Sequence, residues 1–174
     1  MDPIWKPLKS RDSAMNKFMQ GVNSRFQINL ANYEELWQWS IENIEQFWGY
    51  WWEKANIRAS KNPGKALVHA DSFENEKWFP DAKLNLAENL LLFRDEQTAI
   101  IFRDENGNRE VLSYAKLFQL AGTVAAKLKT LGIKKGDRVA AIMPNRPETV
   151  IAMIATTWLG GTWSSCSPDF GKEG

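Results

Sequence analysis

The sequence predicts an α/β fold, with a helical layer over residues 1–93 and the start of a parallel-sheet domain over residues 94–174. Three observations carry that prediction. First, residues 139–143 form a short apolar run after the turn Gly136-Asp137-Arg138, residues 149–159 are apolar around nearly the whole circumference of a helix, and residues 162–167 resume an extended pattern after Gly160-Gly161. Strand, covering helix and strand make the βαβ unit of a parallel sheet. Second, residues 98–103 and 109–112 read as two strands joined by Asp104-Glu105-Asn106-Gly107, whose Asn-Gly step is favoured in hairpins. Third, before residue 93 the apolar residues recur mostly at helical spacing.

Taken in order, residues 1–10 are rich in Pro and Lys and predict an extended arm. Met15, Phe18, Met19 and Val22 predict a short amphipathic helix over 13–23. Asn32 with Glu35, and Asn43 with Gln46, both have capping-box spacing, so two helices are expected, over 33–41 and 44–55. The alternative is one continuous helix, because Trp37, Ile41, Ile44, Trp48, Trp51 and Ala55 form a single seam. Asn62-Pro63-Gly64 predicts a turn, and residues 66–70 a short strand at most. Asn85 and Glu88 repeat the capping spacing ahead of a helix over 86–93. Ser113 caps a long helix with Leu117, Leu120, Ala121, Val124, Leu128 and Leu131 on one face and Gly132 just past its end. Pro144 and Pro147 punctuate the exit from the first strand of the βαβ unit, and Glu148 adds negative charge at the next helix start. The second strand ends at its carboxyl end in a Ser/Pro/Asp/Gly loop, where open α/β sheets usually place ligands.

Composition narrows the function classes. With 22 basic and 21 acidic side chains the net charge is +1, which gives no basic footprint for nucleic acid or an anionic membrane. The single cysteine, Cys166, cannot form an internal disulfide, which points to a reducing, intracellular setting. The first residues lack the apolar run of a signal peptide, and no stretch approaches the ~18 apolar residues of a membrane span, so a soluble cytoplasmic protein is expected. Nine tryptophans is a high count, and Trp37, Trp39, Trp48, Trp51 and Trp52 crowd one segment. Their bland reading is a packed helical layer; the sharper one is an aromatic platform that binds a partner.

No catalytic constellation stands out. The sequence has no G-x-G-x-x-G, no G-x-x-x-x-G-K-[ST] and no G-x-S-x-G. His69, the only histidine, shows no partner carboxylate or nucleophile in the pattern around it, so a structural role is expected. Glu42, Glu45 and Glu53 fall on helices, where exposed charge is the ordinary reading. The chemically suggestive place is the loop Ser167-Pro168-Asp169-Phe170-Gly171, for its position after a parallel strand.

Longer strings add a resemblance. The string Tyr33-Glu-Glu-Leu-Trp-Gln-Trp-Ser40, Trp78-Phe79-Pro80 with Leu84-Asn-Leu-Ala-Glu-Asn-Leu-Leu91, and Trp163-Ser-Ser-Cys-Ser-Pro-Asp-Phe-Gly171 resemble the N-terminal part of the acetoacetyl-CoA synthetases. Leu112-Ser-Tyr and Lys135-Gly-Asp-Arg-Val139 are similar to the wider adenylate-forming superfamily, and the likeness runs from about Asn23 onward.

The resemblance implies the first β-hairpin and βαβ unit of an adenylate-forming N-terminal domain, incomplete in this chain. It implies a parent ligase in which ATP and acetoacetate give acetoacetyl-adenylate and pyrophosphate, and CoA then displaces AMP, with Mg²⁺ and basic groups neutralising phosphate charge. The family's phosphate loop, acidic nucleotide motifs and catalytic lysine lie beyond the position matching Gly174, so the chain alone is expected to be inert, to carry no catalytic residue and no metal site, and to bind none of these ligands tightly. Related acetyl-CoA synthetases touch the nucleotide part of CoA through a Phe-Gly-Gly stretch after this strand; the matching positions here are Pro168, Asp169 and Phe170, which differ in sequence. Asp169 would repel a phosphate, and the alternative for this loop is a structural turn. Two other readings stay open, a Trp-rich interaction module and a segment of an acetate or propionate ligase. The last strand of the sheet is also expected to present an unpaired edge through which copies self-associate.

Overall fold

The computed structural model describes residues 13–171; the arm expected over residues 1–10 lies outside them. The chain forms two compact units. One runs to Ile57 and takes in Asn62–Ala82, and the other takes Arg58–Lys61 and the described residues from Lys83 onward.

The first unit is built on three helices, α1 (Ala14–Phe26), α2 (Tyr33–Glu42) and α3 (Ile44–Lys54). Ser13 caps α1, its hydroxyl accepting from the Asn16 N–H at 3.1 Å. The helix runs a turn beyond the predicted Asn23, ending where Gln27 turns left-handed at φ 55°. Asn23 then ties down the connection, donating to the Leu30 carbonyl at 2.9 Å and accepting from the Leu30 N–H at 2.8 Å. The first capping signal forms a variant of the box: Asn32 accepts from the Glu35 N–H, while the Glu35 carboxylate accepts from the Ala31 N–H at 2.7 Å, one residue before the cap, and from the Asn32 carboxamide at 2.8 Å. The second does not. Asn43 breaks the helix with φ −126° and ψ 50°, but makes no side-chain cap; its carboxamide donates backwards to the Trp39 carbonyl at 3.1 Å.

Val22, Leu36 and Tyr50 are the buried centre of this unit, surrounded by Phe18, Met19, Phe26 and Trp39. Edge-on and tilted rings fill it, Phe18 against Tyr50 at 5.3 Å and Phe26 against Trp39 at 5.0 Å. The close approach of α1 to α3 depends on Gly21, where a Cβ would lie 2.0 Å from the Tyr50 hydroxyl. The seam named in the sequence is not the buried one. Trp37, Ile41, Trp48 and Trp51 are 52%, 46%, 37% and 44% exposed, because the break at Asn43 turns Leu36, Phe47 and Tyr50 inward instead. A two-residue ladder follows, β1 (Leu67–Val68) antiparallel to β2 (Lys77–Trp78). Trp78 closes on Trp48 at 5.7 Å and Phe79 on Trp52 at 4.8 Å.

The second unit begins with a bridge between Lys61 and Lys83 and a reciprocal pair in which Asn89 accepts from the Arg58 N–H and donates to the Arg58 carbonyl. Helix α4 (Leu86–Leu90) is shorter than the predicted 86–93: Leu91 leaves helical geometry at φ −105°, ψ 40°. The hairpin β3 (Thr98–Arg103) and β4 (Arg109–Ser113) pairs Arg103 with Arg109 across a longer connection than a two-residue Asn-Gly turn. Only Gly107 takes positive φ there, at 85°, and Asp104 closes the loop by accepting from the Asn108 backbone and carboxamide at 2.8 Å each.

Ser113 caps α5 (Tyr114–Thr130), and Gly132 at φ 94° ends it, with the Ile133 N–H bonding back to the Leu128 carbonyl. Leu117, Ala121 and Ala125 are its buried face; Leu131, expected on that face, is the cap residue and is 69% exposed. The βαβ unit is as the sequence predicts. Strand β5 (Arg138–Ile142) lies parallel to β6 (Thr162–Cys166), joined by α6 (Pro147–Trp158) with proline at its first position. Ala87, Leu91, Leu112, Leu117, Ala121, Ile151 and Ile154 form one core from α4, the hairpin, α5 and α6. Asn85 locks this packing: it caps α4 through the Glu88 N–H and donates to the Thr157 and Trp158 carbonyls at the end of α6.

Candidate functional site

Parallel pairing brings the carboxyl ends of β5 and β6 to one side of their sheet, with Ile142 opposite Cys166. The ladder extends one step further through the Met143 N–H to the Cys166 carbonyl at 3.1 Å. Beyond that step the chain opens into two loops, Pro144-Asn145-Arg146 after β5 and Ser167–Gly171 after β6. Loops at this edge are where open α/β sheets bind ligands.

The loop after β6 is a closed turn. The Phe170 N–H donates to the Ser167 carbonyl at 3.3 Å with Pro168 second in the turn, a position its fixed φ favours. Ser167 reinforces it twice, its hydroxyl donating to the Asp169 carboxylate at 2.8 Å and accepting from the Asp169 N–H at 3.3 Å. Phe170 is 63% exposed and its ring is free for contact. Pro168, Asp169 and Phe170 therefore sit together on a hydrogen-bonded turn, with the Asp169 carboxylate accepting from the Ser167 hydroxyl.

The loop after β5 holds a residue that the sequence reading passed over. Arg146 stacks over the Phe102 ring at 5.0 Å and grips Glu148 through Nε at 3.1 Å and a second nitrogen at 3.4 Å. That hydrogen bond raises the Arg146 pKa and is the chief cause holding the Glu148 carboxyl below its ordinary range. The Arg-Pro-Glu spacing at a helix start was the available signal. Arg146, Asn145, Phe102 and Arg103 line a cleft of about 260 Å³.

His69 is not alone, contrary to the sequence expectation. Its Nδ1 lies 3.0 Å from a Glu76 carboxylate oxygen, joining the two ends of the segment between β1 and β2. The partner was hidden because it lies seven residues on, across a 3-10 turn over Phe73–Asn75. Glu42, Glu45 and Glu53 are exposed on their helices, and Cys166 is an exposed free thiol. Among the described residues no three His, Cys, Asp or Glu side chains converge. No described helix is long and apolar enough to cross a membrane.

Comparison with known proteins matches these features to two families in series. Residues 33–90 match the acetyl-coenzyme A synthetase N-terminus, and residues 91–174 match the AMP-binding enzymes. The chain thus matches the N-terminal part of the adenylate-forming acyl-CoA synthetases, the two family models together spanning residues 33–174. Within that class it matches the acetoacetyl-CoA synthetases. It is 39% identical to the acetoacetyl-coenzyme A synthetase of Rhizobium meliloti over 174 residues, covering 99% of this chain and 27% of the relative. The acetoacetyl-CoA synthetase of Gallus gallus is 35% identical over 98% of this chain and 26% of its own length. The solved acetoacetyl-CoA synthetase from Streptomyces lividans superposes with a TM-score of 0.89 at 31% identity, over 98% of this chain and 27% of that one. A malonamoyl-CoA synthetase of Penicillium aethiopicum is 33% identical over 98% of this chain and 25% of its length. The chain spans about a quarter of the length of these relatives.

Proposed function

We propose that the chain is the N-terminal segment of a ligase that joins acetoacetate to CoA at the expense of ATP. The supporting observation is the match to acetoacetyl-CoA synthetases along nearly all of this chain, in sequence and in fold. In the reaction proposed, an acetoacetate carboxylate oxygen attacks the α-phosphorus of ATP and pyrophosphate leaves. The CoA thiolate then attacks the acyl carbon, forming the thioester and expelling AMP. Adenylation supplies the leaving group that a carboxylate lacks. The sequence carries no G-x-x-x-x-G-K-[ST] phosphate loop; no step of this chemistry is assigned to the residues described here, and the 174-residue chain is proposed to be inert alone.

Malonamate and acetoacetate share a carbonyl β to the carboxylate, and the chain resembles ligases named for both acids. A short 3-carbonyl acid is therefore the substrate class, and acetoacetate its first candidate over acetate or propionate. Pro168 and Phe170 are proposed to touch the nucleotide end of CoA from the hydrogen-bonded turn after β6, with Asp169 turned to Ser167 rather than to phosphate. In the full-length ligase, Phe170→Ala should raise the KM for CoA and leave acetoacetate-dependent exchange of pyrophosphate into ATP unchanged, since that half-reaction uses no CoA. Equal loss in both would refute a CoA contact. The free Cys166 fits a cytoplasmic setting.

A stand-alone interaction module is the second reading, and the exposed Trp37, Trp48 and Trp51 favour it. Robust pyrophosphate exchange by the 174-residue chain alone would overturn the proposal that it is inert. No exchange by a full-length ligase carrying this segment, with acetoacetate present, would overturn the substrate assignment.

A further inference from the structure

A second cleft lies away from both loops, wholly within the second unit. It encloses about 310 Å³ and is lined by Asn85, Ala87, Glu88, Leu91, Arg94, Phe118 and Trp158. Its floor is core, since Ala87 and Leu91 are 1% and 2% exposed. Its wall is aromatic, Phe118 and Trp158 stacking at 5.1 Å.

Two opposite charges reach the same cleft. The Arg94 guanidinium carbon lies 4.1 Å from the Phe118 ring centroid, which sets the charged group against the aromatic wall of the cleft. The Glu88 carboxylate stands on α4, whose start Asn85 fixes through both the Glu88 N–H and the α6 carbonyls. Among the described residues neither Arg94 nor Glu88 is ion-paired, with each other or with a third group. An anion alone would meet Arg94 but be repelled by Glu88, and a cation alone would meet the converse. A ligand carrying both charges on an apolar body satisfies the cleft.

We propose that this cleft binds a small zwitterion with an apolar side chain, an α-amino acid such as leucine or phenylalanine. The carboxylate bonds the Arg94 fork, the ammonium group bonds Glu88, and the side chain lies on Leu91, Phe118 and Trp158. This inference is independent of the ligase reading.

The test uses three probes of one shape on the 174-residue chain: L-leucine, 4-methylpentanoate, which lacks the ammonium group, and 3-methylbutylamine, which lacks the carboxylate. Titration followed by amide and indole NMR shifts should show saturable binding of L-leucine, with shifts confined to Asn85, Leu91, Arg94, Phe118 and the Trp158 indole. Each single-charge analogue should bind about tenfold more weakly or worse, as loss of a charge-assisted hydrogen bond requires. The exposed changes Glu88→Gln and Arg94→Gln should each weaken L-leucine by a similar factor while leaving the circular dichroism spectrum unchanged. Absence of saturable binding of both L-leucine and L-phenylalanine would overturn the proposal. So would 4-methylpentanoate binding as tightly as L-leucine, which would make the cleft an anion site, or shifts centred elsewhere in the chain.

Discussion

Replacing Gly21 by alanine tests the packing of the Trp-rich unit at its tightest point. Alanine favours a helix over glycine by about 1 kcal/mol, so propensity alone predicts stabilisation of α1. Packing opposes it. The new Cβ would stand 2.0 Å from the Tyr50 hydroxyl and 3.2 Å from the ring carbon bearing it, where ordinary contact begins at 3.4 Å. Tyr50 is 6% exposed and wedged between Phe18 at 5.3 Å and Phe26 at 6.0 Å, so its ring has no free direction to yield. Overpacking of this kind costs about 1–3 kcal/mol, and each ring contact that Tyr50 loosens forfeits about 0.5–1.5 kcal/mol more. The net expectation is a loss of about 1–3 kcal/mol, read as a urea midpoint lower by roughly 1 M in tryptophan fluorescence. Gly49→Ala is the control. Nothing lies within 4 Å of its Cβ position in α3, so it should hold stability or gain up to about 1 kcal/mol. Adding Tyr50→Phe to Gly21→Ala removes the closest atom and should recover part of the loss, a coupling that a double-mutant cycle measures. A Gly21→Ala chain at least as stable as the parent would refute the packing argument.

Four further outcomes follow from the same structure. Asn32→Ala should cost about 1 kcal/mol by removing a formed cap, while Asn43→Ala, with no cap to lose, should cost clearly less in the same urea titration. Asn85→Ala should cost about 2 kcal/mol, since it removes the α4 cap and two donations to α6 carbonyls; Asn85→Asp keeps the cap but sets a carboxylate oxygen against those two carbonyls, so it should not recover the loss. Arg146→Ala should return the Glu148 carboxyl towards its ordinary pKa in a carboxyl NMR titration. Because that pKa is lowered on folding, its contribution to stability is present above the ordinary carboxylate pKa and disappears as pH falls through the folded value, so the variant should lose less stability than the parent on acidification across that window. Asp104, held low chiefly by the Asn108 carboxamide, has the same sign, and Asn108→Ala should raise its pKa.

The elements the sequence specified best were those whose signals are local and mutually consistent. In α6 the Pro147 start, the apolar circumference and the Gly160-Gly161 stop agree, and the strands on either side pair as expected. Ser113 and Gly132 bracket α5 in the same way. Misreadings arose where tertiary contacts decide. Asn32 and Asn43 have the same spacing to a following Glu or Gln, yet Asn43 donates back to Trp39 because the chain bends there. That bend also put the apolar seam outside and Tyr50 inside, which helical periodicity through a continuous helix could not foresee. The turn after β6 was legible as a turn from Ser-Pro-Asp, whereas the pairing of Arg146 with Phe102 and the convergence of Glu88 and Arg94 on one cleft join residues from separate elements.

The central claim is that this chain is the leading segment of an acetoacetate-activating ligase. Exchange of labelled pyrophosphate into ATP, measured on the product of the reading frame continued past Gly174 and on the 174-residue chain beside it, tests it most directly. The account predicts a continuation with a Gly-rich phosphate loop, exchange by the longer protein that depends on acetoacetate and is weak with acetate or propionate, and none by the shorter chain. Exchange driven by acetate or propionate but not by acetoacetate, or exchange by the 174 residues alone, would contradict it.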